Sequence, residues 1–314
     1  MPCYHPLSAW SMPYMVAGQL KNEISFKECP DSNKIYLPCG RCIGCRLEKS
    51  KQWATRVMHE ASQHSENSFI TLTYNNENLP KDNSLVYSDF QLFLKRLRQL
   101  CNRKYGKQIR FYMAGEYGEN YGRPHWHACI FGHSFSDKKP WKRTPSGSII
   151  YRSSELESLW EHGYSSIGDV TFESAAYVAR YIMSKQNGDN INPKTGKPYK
   201  AVYEWTCPDT GEVFERKPEF NKMSLKPGIG ARWLERYESD VFPHDYVVIK
   251  GKKMKVPRYY DKIYASKNPY EMEEIKHLRE IRGKLQHEDN TFERLLVKET
   301  VQLAKLRKLK RNLT

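Results

Sequence analysis

Gly122-Arg-Pro-His125-Trp-His127-Ala-Cys-Ile-Phe-Gly132 reads as a β-strand carrying two histidines one residue apart. Side chains alternate along a strand with period two, so both imidazoles point to one face. Trp126, Ala128 and Ile130 then point to the other, toward a core. On a helix the same spacing would splay the rings apart. The strand therefore turns His125 and His127 into a two-pronged metal ligand rather than two separate hydrogen-bonded histidines. Cys129 shares their face and reads as packed.

The preceding stretch, Phe111-Tyr-Met-Ala-Gly-Glu116, is a strand that ends in a carboxylate. A Gly- and Asn-rich connection makes the two strands a hairpin, which brings Glu116 near His125. Glu119, in the connection, is the second choice for third ligand. Two histidines and a carboxylate leave positions open on a divalent ion for a phosphate oxygen and water.

Around this hairpin the pattern is α+β, an antiparallel sheet with flanking helices. Phe69-Ile-Thr-Leu-Thr-Tyr74 alternates apolar and polar residues as a half-buried strand does. Helical spacing runs over 47–63, 88–101, 154–161 and 172–185. Three segments are expected: a Cys-rich segment with the first helix (1–66), irregular to about 46; the core that carries the histidine pair (67–240), with a loop-rich insertion near 186–230; and a basic helical C-terminal region (241–314).

Within the last core helix, Ala175-Ala-Tyr177-Val-Ala-Arg180-Tyr181-Ile-Met-Ser-Lys185 places two phenols four residues apart, on one helix face. Alone this is the ordinary stripe of an amphipathic helix. A phenol of pKa near 10 is a poor nucleophile at neutral pH. Cations such as Arg180 and Lys185 favour the phenolate and neutralise a phosphate under attack. Beside the histidine pair, the two motifs supply complementary parts of one reaction.

Charge points the same way. The 314 residues hold 51 Lys and Arg against 36 Asp and Glu, a net charge of +15, which suits a polyanion. The 21 tyrosines suit base stacking. No apolar run approaches the roughly 20 residues needed to cross a bilayer. Met1-Pro-Cys-Tyr-His-Pro lacks the look of a signal peptide, so a cytoplasmic protein is expected. The run Lys305-Leu-Arg-Lys-Leu-Lys-Arg311 reads as a solvated face or a loose nucleic-acid contact.

Near the N-terminus, Cys39, Cys42 and Cys45 supply three thiols at tight spacing. A structural Zn²⁺ wants four ligands, and Cys3 would complete the set, with Cys29 and His5 as rivals. An iron–sulfur cluster shares this spacing but has no evident use here.

In order, Phe69–Tyr74, Pro124-His-Trp-His127 and Tyr177-x-x-x-Tyr181 resemble the three motifs of HUH rolling-circle replication endonucleases, whose fold is RRM-like. Pro38-Cys-Gly-Arg-Cys-Ile-Gly-Cys45, Gly115-Glu-Tyr-Gly118 and Met223-Ser-Leu-Lys-Pro-Gly-Ile-Gly230 resemble the initiators of small single-stranded-DNA phages, the gokushovirus branch of the microviruses. The resemblance spans about 1–240. It implies Mg²⁺ or Mn²⁺ at His125 and His127, with Glu116 as third ligand. It implies attack by Tyr177 or Tyr181 on single-stranded or melted origin DNA, giving a 5′-phosphotyrosine link and a free 3′-OH, and later closure of the displaced strand. A host helicase and replication machinery are the partners it suggests. Other readings are a related relaxase or transposase, and a non-catalytic zinc-bearing protein that binds single-stranded nucleic acid.

Overall fold

The computed structural model describes residues 3–16, 19–30, 32–118, 122–144, 147–184 and 199–308, without the side chains of 19–21, 180–184, 199–200 and 308. The chain forms two compact units, Met1–Lys49 with Asn268–Lys310, and Ser50–Lys267. These boundaries cut the chain at other points than the three segments expected above.

The first unit opens with Leu7–Val16 (β1), Gln19–Ser25 (β2) and Asn33–Leu37 (β3), an antiparallel sheet in the order β2-β1-β3. This corrects the expectation of an irregular start. Pro13 and a weak alternation hide the strands, although β1 pairs with its immediate neighbours in the chain, β2 and β3. Ile43–Ala61 (α1) belongs to this unit up to Lys49 and to the second thereafter.

In the second unit the chain continues through Asn67–Tyr74 (β4), Tyr87–Tyr105 (α2), Arg110–Tyr117 (β5), Pro124–Phe131 (β6), Lys139–Arg143 (β7), Ile149–Arg152 (β8), Ser154–Leu159 (α3), Gly163–Gly168 (β9) and Phe172–Ser184 (α4). Glu204–Thr206 (β10) and Val213–Glu215 (β11) form a small hairpin, and Phe220–Met223 (β12) precedes Ala231–Val241 (α5). Val247–Ile249 (β13), Lys252–Met254 (β14) and Arg258–Lys267 (α6) follow, then Pro269–Lys284 (α7) and Phe292–Lys308 (α8) of the first unit.

Seven strands make one fully antiparallel sheet in the order β12-β5-β6-β4-β9-β8-β7, the expected α+β architecture. The period-two pattern sorts its side chains. Ile70, Leu72, Trp126, Ala128 and Ile130 pack with Phe90, Phe93, Leu94 and Leu97 of α2. These α2 positions recur at helical spacing, and burying each contributes roughly 1.5–3 kcal/mol. Gly106, in left-handed conformation at φ 61°, ends the helix. On the opposite face, Phe69, Tyr112, Ala114, Cys129 and Phe131 pack against Ala54, Val57 and Ala61 of α1 and Ala175, Val178 and Ala179 of α4. A reciprocal cap starts α4: Ser174 N–H donates to Thr171 Oγ1 at 3.1 Å, and Thr171 N–H donates to Ser174 Oγ at 2.9 Å.

Two further expectations need correction. The segment expected as a loop-rich insertion supplies β10, β11 and β12, the last an edge strand of the main sheet paired to β5. Its Lys- and Pro-rich composition masks the strand; 185–198 lies outside the described residues. The region beyond 241 holds the β13–β14 hairpin as well as helices.

Candidate active site and thiol cluster

Strands β5 and β6 pair in the register Glu116↔His125 and Ala114↔His127, and β4 pairs with β6 as Thr71↔His127 and Thr73↔His125. Directly opposed residues share a face, so both histidines, Glu116, Thr71 and Thr73 converge on the side that carries α1 and α4. The Glu116 carboxylate leans along the strand to His127, where Oε1 lies 2.5 Å from Nε2. Both groups are nearly sealed from solvent, at 4% and 1% exposed.

His127 is gripped on every side. Its Nδ1 lies 2.9 Å from the Thr71 hydroxyl, Phe69 stacks on the ring within 3° of parallel, and Tyr177 meets it edge-on with centroids 5.1 Å apart. His125 Nδ1–H donates to the Arg123 carbonyl at 2.6 Å, which leaves Nε2 with its lone pair. Burial holds the His125 imidazole at about 4, so near neutrality the ring is uncharged, the form that ligates metal. Gly118 sits so close that a Cβ there would lie 3.1 Å from the His125 ring.

Thus the structure brings His125, His127, Glu116 and Tyr177 to one face. Glu119 and Lys185 lie outside the described residues; Arg180 and Tyr181 are in α4, but their side chains are not described. Two imidazoles and a carboxylate are donor types that a divalent ion takes, and in the structure Glu116 Oε1 and His127 Nε2, 2.5 Å apart, share a proton. The three donors are more widely spread than the thiols described next. Cys129 is buried and its thiol is pushed up to about 12, as packing predicts.

Phe69, Thr71 and the Arg123 carbonyl join the site; all three lie in stretches the sequence singles out, but none reads there as a site residue. The alternation of Phe69, Thr71 and Thr73 is the signal that could have found them, since it places all three on the histidine face once β4 neighbours β6. Equally unmarked is a groove of 460 Å³ beside His125, lined by Thr71, Thr73, Trp141, Lys142, Arg152 and Tyr164 among others.

In the first unit, Cys3, Cys39, Cys42 and Cys45 offer sulfurs all within 4.8 Å of one another, the one such set of three or more metal-binding donors among the described residues. The Sγ atoms of Cys42 and Cys3 are 3.9 Å apart. A zinc tetrahedron with bonds of about 2.3 Å has edges of about 3.8 Å. Backbone N–H groups of Tyr4, Cys39 and Cys42 donate to Cys42, Cys3 and Cys39 sulfurs at 3.3 Å each. Burial pushes the Cys42 thiol up, but hydrogen bonds from the Tyr4 and Cys45 backbone and from the Cys39 and Cys45 thiols together outweigh it and hold the group at about 7. The cluster can hold a metal such as zinc. His5, a rival fourth ligand, instead has Nε2 2.6 Å from Glu299 Oε2, and Cys29 is not in the set.

The replication-associated protein ORF2/G2P family matches residues 67–187. Replication-associated protein VP4 of Bdellovibrio phage phiMH2K is 34% identical over 274 residues, 86% of this chain and 79% of that protein. Replication-associated protein ORF2 of Spiroplasma virus 4 is 31% identical over 246 residues, covering 74% and 70%, and ORF4 of Chlamydia phage 1 is 39% identical over 153 residues, covering 48% and 38%. The chain belongs to this family of phage replication-associated proteins, in line with its motifs. No solved structure matches it. Among the described residues no helix is long and apolar enough to cross a membrane.

Proposed function

We propose that the chain is a replication initiator that nicks one DNA strand at an origin through a tyrosine. The observation that carries this reading is the contact of Tyr177 with His127, itself joined to Glu116. In the reaction, a phenol oxygen of Tyr177 or Tyr181 attacks the scissile phosphorus. The Tyr Oη–P bond forms, the P–O3′ bond breaks, and the phenol proton ends on the 3′ oxygen. One ester replaces another, so the reverse attack by a 3′-OH rejoins the strand without ATP. His125, His127 and Glu116 would hold Mg²⁺ or Mn²⁺, which polarises the phosphate when bound. Thr71 and the Arg123 carbonyl orient the two imidazoles. The cysteine cluster would hold Zn²⁺ as a staple between the N-terminus and the start of α1, beside the small β1–β3 sheet. The setting is the cytoplasm of a bacterial host, where a host helicase opens the duplex.

The test is incubation with Mn²⁺ and labelled single-stranded oligonucleotides tiled across the genome that encodes the chain, followed by denaturing electrophoresis. Label on the protein that Tyr177→Phe plus Tyr181→Phe abolishes supports the reading, and the single variants identify the leading phenol. No adduct with any tile overturns it in favour of a non-catalytic nucleic-acid-binding module.

A further inference from the structure

Helix α4 covers β12, β5 and β6. On the same face, beyond His125, the 460 Å³ groove runs over β4, β9, β8 and β7. Its rim carries two exposed aromatic rings, Trp141 at 55% and Tyr164 at 64%. Lys142 Nζ lies 4.8 Å and the Arg152 guanidinium 5.7 Å from the Trp141 ring centre. Between Lys138 and Arg152 the hairpin holds Lys139, Lys142 and Arg143 and no acidic residue. Lysine and proline on the edge strand β7 protect it from pairing with another chain. Edge protection does not account for a solvent-facing Trp between two cations, nor for a second ring across a groove that ends at a histidine.

We propose that this groove is a single-stranded DNA subsite that stacks bases on Trp141 and Tyr164 and holds the nucleotides on the 5′ side of the cut. Flat rings interleaved with cations fit unpaired bases and their phosphates, whatever the sequence. The polarity rests on the nicking reading above. In a phosphoryl displacement the attacking and departing oxygens lie roughly in line through phosphorus. A phenol from α4 arrives from the β5–β6 side, so the departing 3′ oxygen leaves across β4, into the groove. The groove then keeps the freed 3′-OH end beside the covalent link, poised for rejoining.

The experiment has two arms, both on the full chain. In the first, fluorescence anisotropy reads binding of a 20-nucleotide oligothymidylate. Trp141→Ala and Tyr164→Ala each weaken it about 5- to 30-fold, while Trp141→Phe, which keeps a ring, retains most of the affinity. Lys142→Gln with Arg152→Gln lowers the salt slope by about 1.4. Wild-type affinity in both alanine variants overturns the groove, and does so even if the wild type forms a covalent adduct. In the second arm, 5-iododeoxyuridine is placed singly on either side of the mapped nick. Photo-crosslinks to Trp141 or Tyr164 from positions 5′ of the cut support the polarity, and crosslinks from the 3′ side overturn it. Loss of oligothymidylate binding in the variants of a protein that forms no adduct keeps the subsite and removes the nicking reading together with the polarity.

Discussion

Arg110 on β5 and Glu60 near the end of α1 meet at 2.6 Å with both side chains largely sealed from water. The second Glu60 oxygen accepts the Gly230 N–H at 2.7 Å, and Arg110 donates to the Pro227 carbonyl at 2.5 Å. One pair thus fastens the Met223–Gly230 segment, and with it β12, to the sheet. Burial raises the Glu60 carboxyl, but contacts with His64, Gly230 and Arg110 outweigh it and hold the group below the usual range. Removing one partner strands the other charge. Glu60→Gln or Arg110→Met should each cost about 3–5 kcal/mol in chemical denaturation, and the double variant less than their sum. Additive losses would show that the two charges do not act as a pair.

Gly115 gives the Trp126 indole its seat: a Cβ there would lie 2.7 Å from Cζ3. Gly115→Ala should destabilise by about 1–3 kcal/mol. Gly283, in α7, has open space where a Cβ would stand, with nothing within 4 Å, and should respond oppositely. Gly283→Ala should gain up to about 1 kcal/mol. Equal melting temperatures for the two variants would refute the steric account.

His59 is stacked on Trp233 at 3.5 Å and bonded to the Tyr260 hydroxyl at 2.9 Å, and burial pulls its imidazole from 6.5 down to about 3. The unfolded chain therefore binds a proton that the folded chain refuses. Stability from this group is complete above pH 6.5 and is lost as pH falls from there toward 3, by up to about 1.4 kcal/mol per pH unit. Denaturation of His59→Phe across pH 4–7 should show an acid limb flatter by that slope. A limb parallel to wild type would assign the acid sensitivity elsewhere.

For the thiol cluster, native mass spectrometry should find about one zinc per chain. Cys42→Ser or Cys3→Ser should lose it and lower the melting temperature, while Cys29→Ser keeps it. Zinc retained by Cys3→Ser would reassign the fourth ligand, and wild-type protein without zinc would refute the centre.

Thr71 is the test of orientation at the other site. Thr71→Val removes the hydroxyl beside His127 Nδ1 while keeping the strand's shape, and should weaken Mn²⁺ binding about 10- to 100-fold by electron paramagnetic resonance. Unchanged affinity would reduce the contact to packing.

The strand pair at the centre is legible in the sequence because its signal is local. His125 and His127 are two apart, and a hairpin brings Glu116 opposite His125 with few choices of register. Helix α2 is legible because Phe90, Phe93, Leu94 and Leu97 repeat at its period. Strands β7, β8, β9 and β12 are short: β9 and β12 pair with strands far along the chain, and β7 and β8 form an edge hairpin with a register shift, which no local pattern reports. Trp141 and Tyr164 are hidden for the same reason: nothing in 138–152 says that it borders His125 until β4 and β9 stand between them.

The groove beside His125 is a trough with an open side, not a tunnel. A tunnel must be threaded from a free end, whereas a trough admits a strand laterally at any internal point. A covalently closed circle of DNA has no ends, and the proposed chemistry begins and finishes on such circles. Among the described residues no helix covers this half of the sheet on the groove's face, so on the proposed reading the protein would seat itself on a ring and come off it without any further break in the strand.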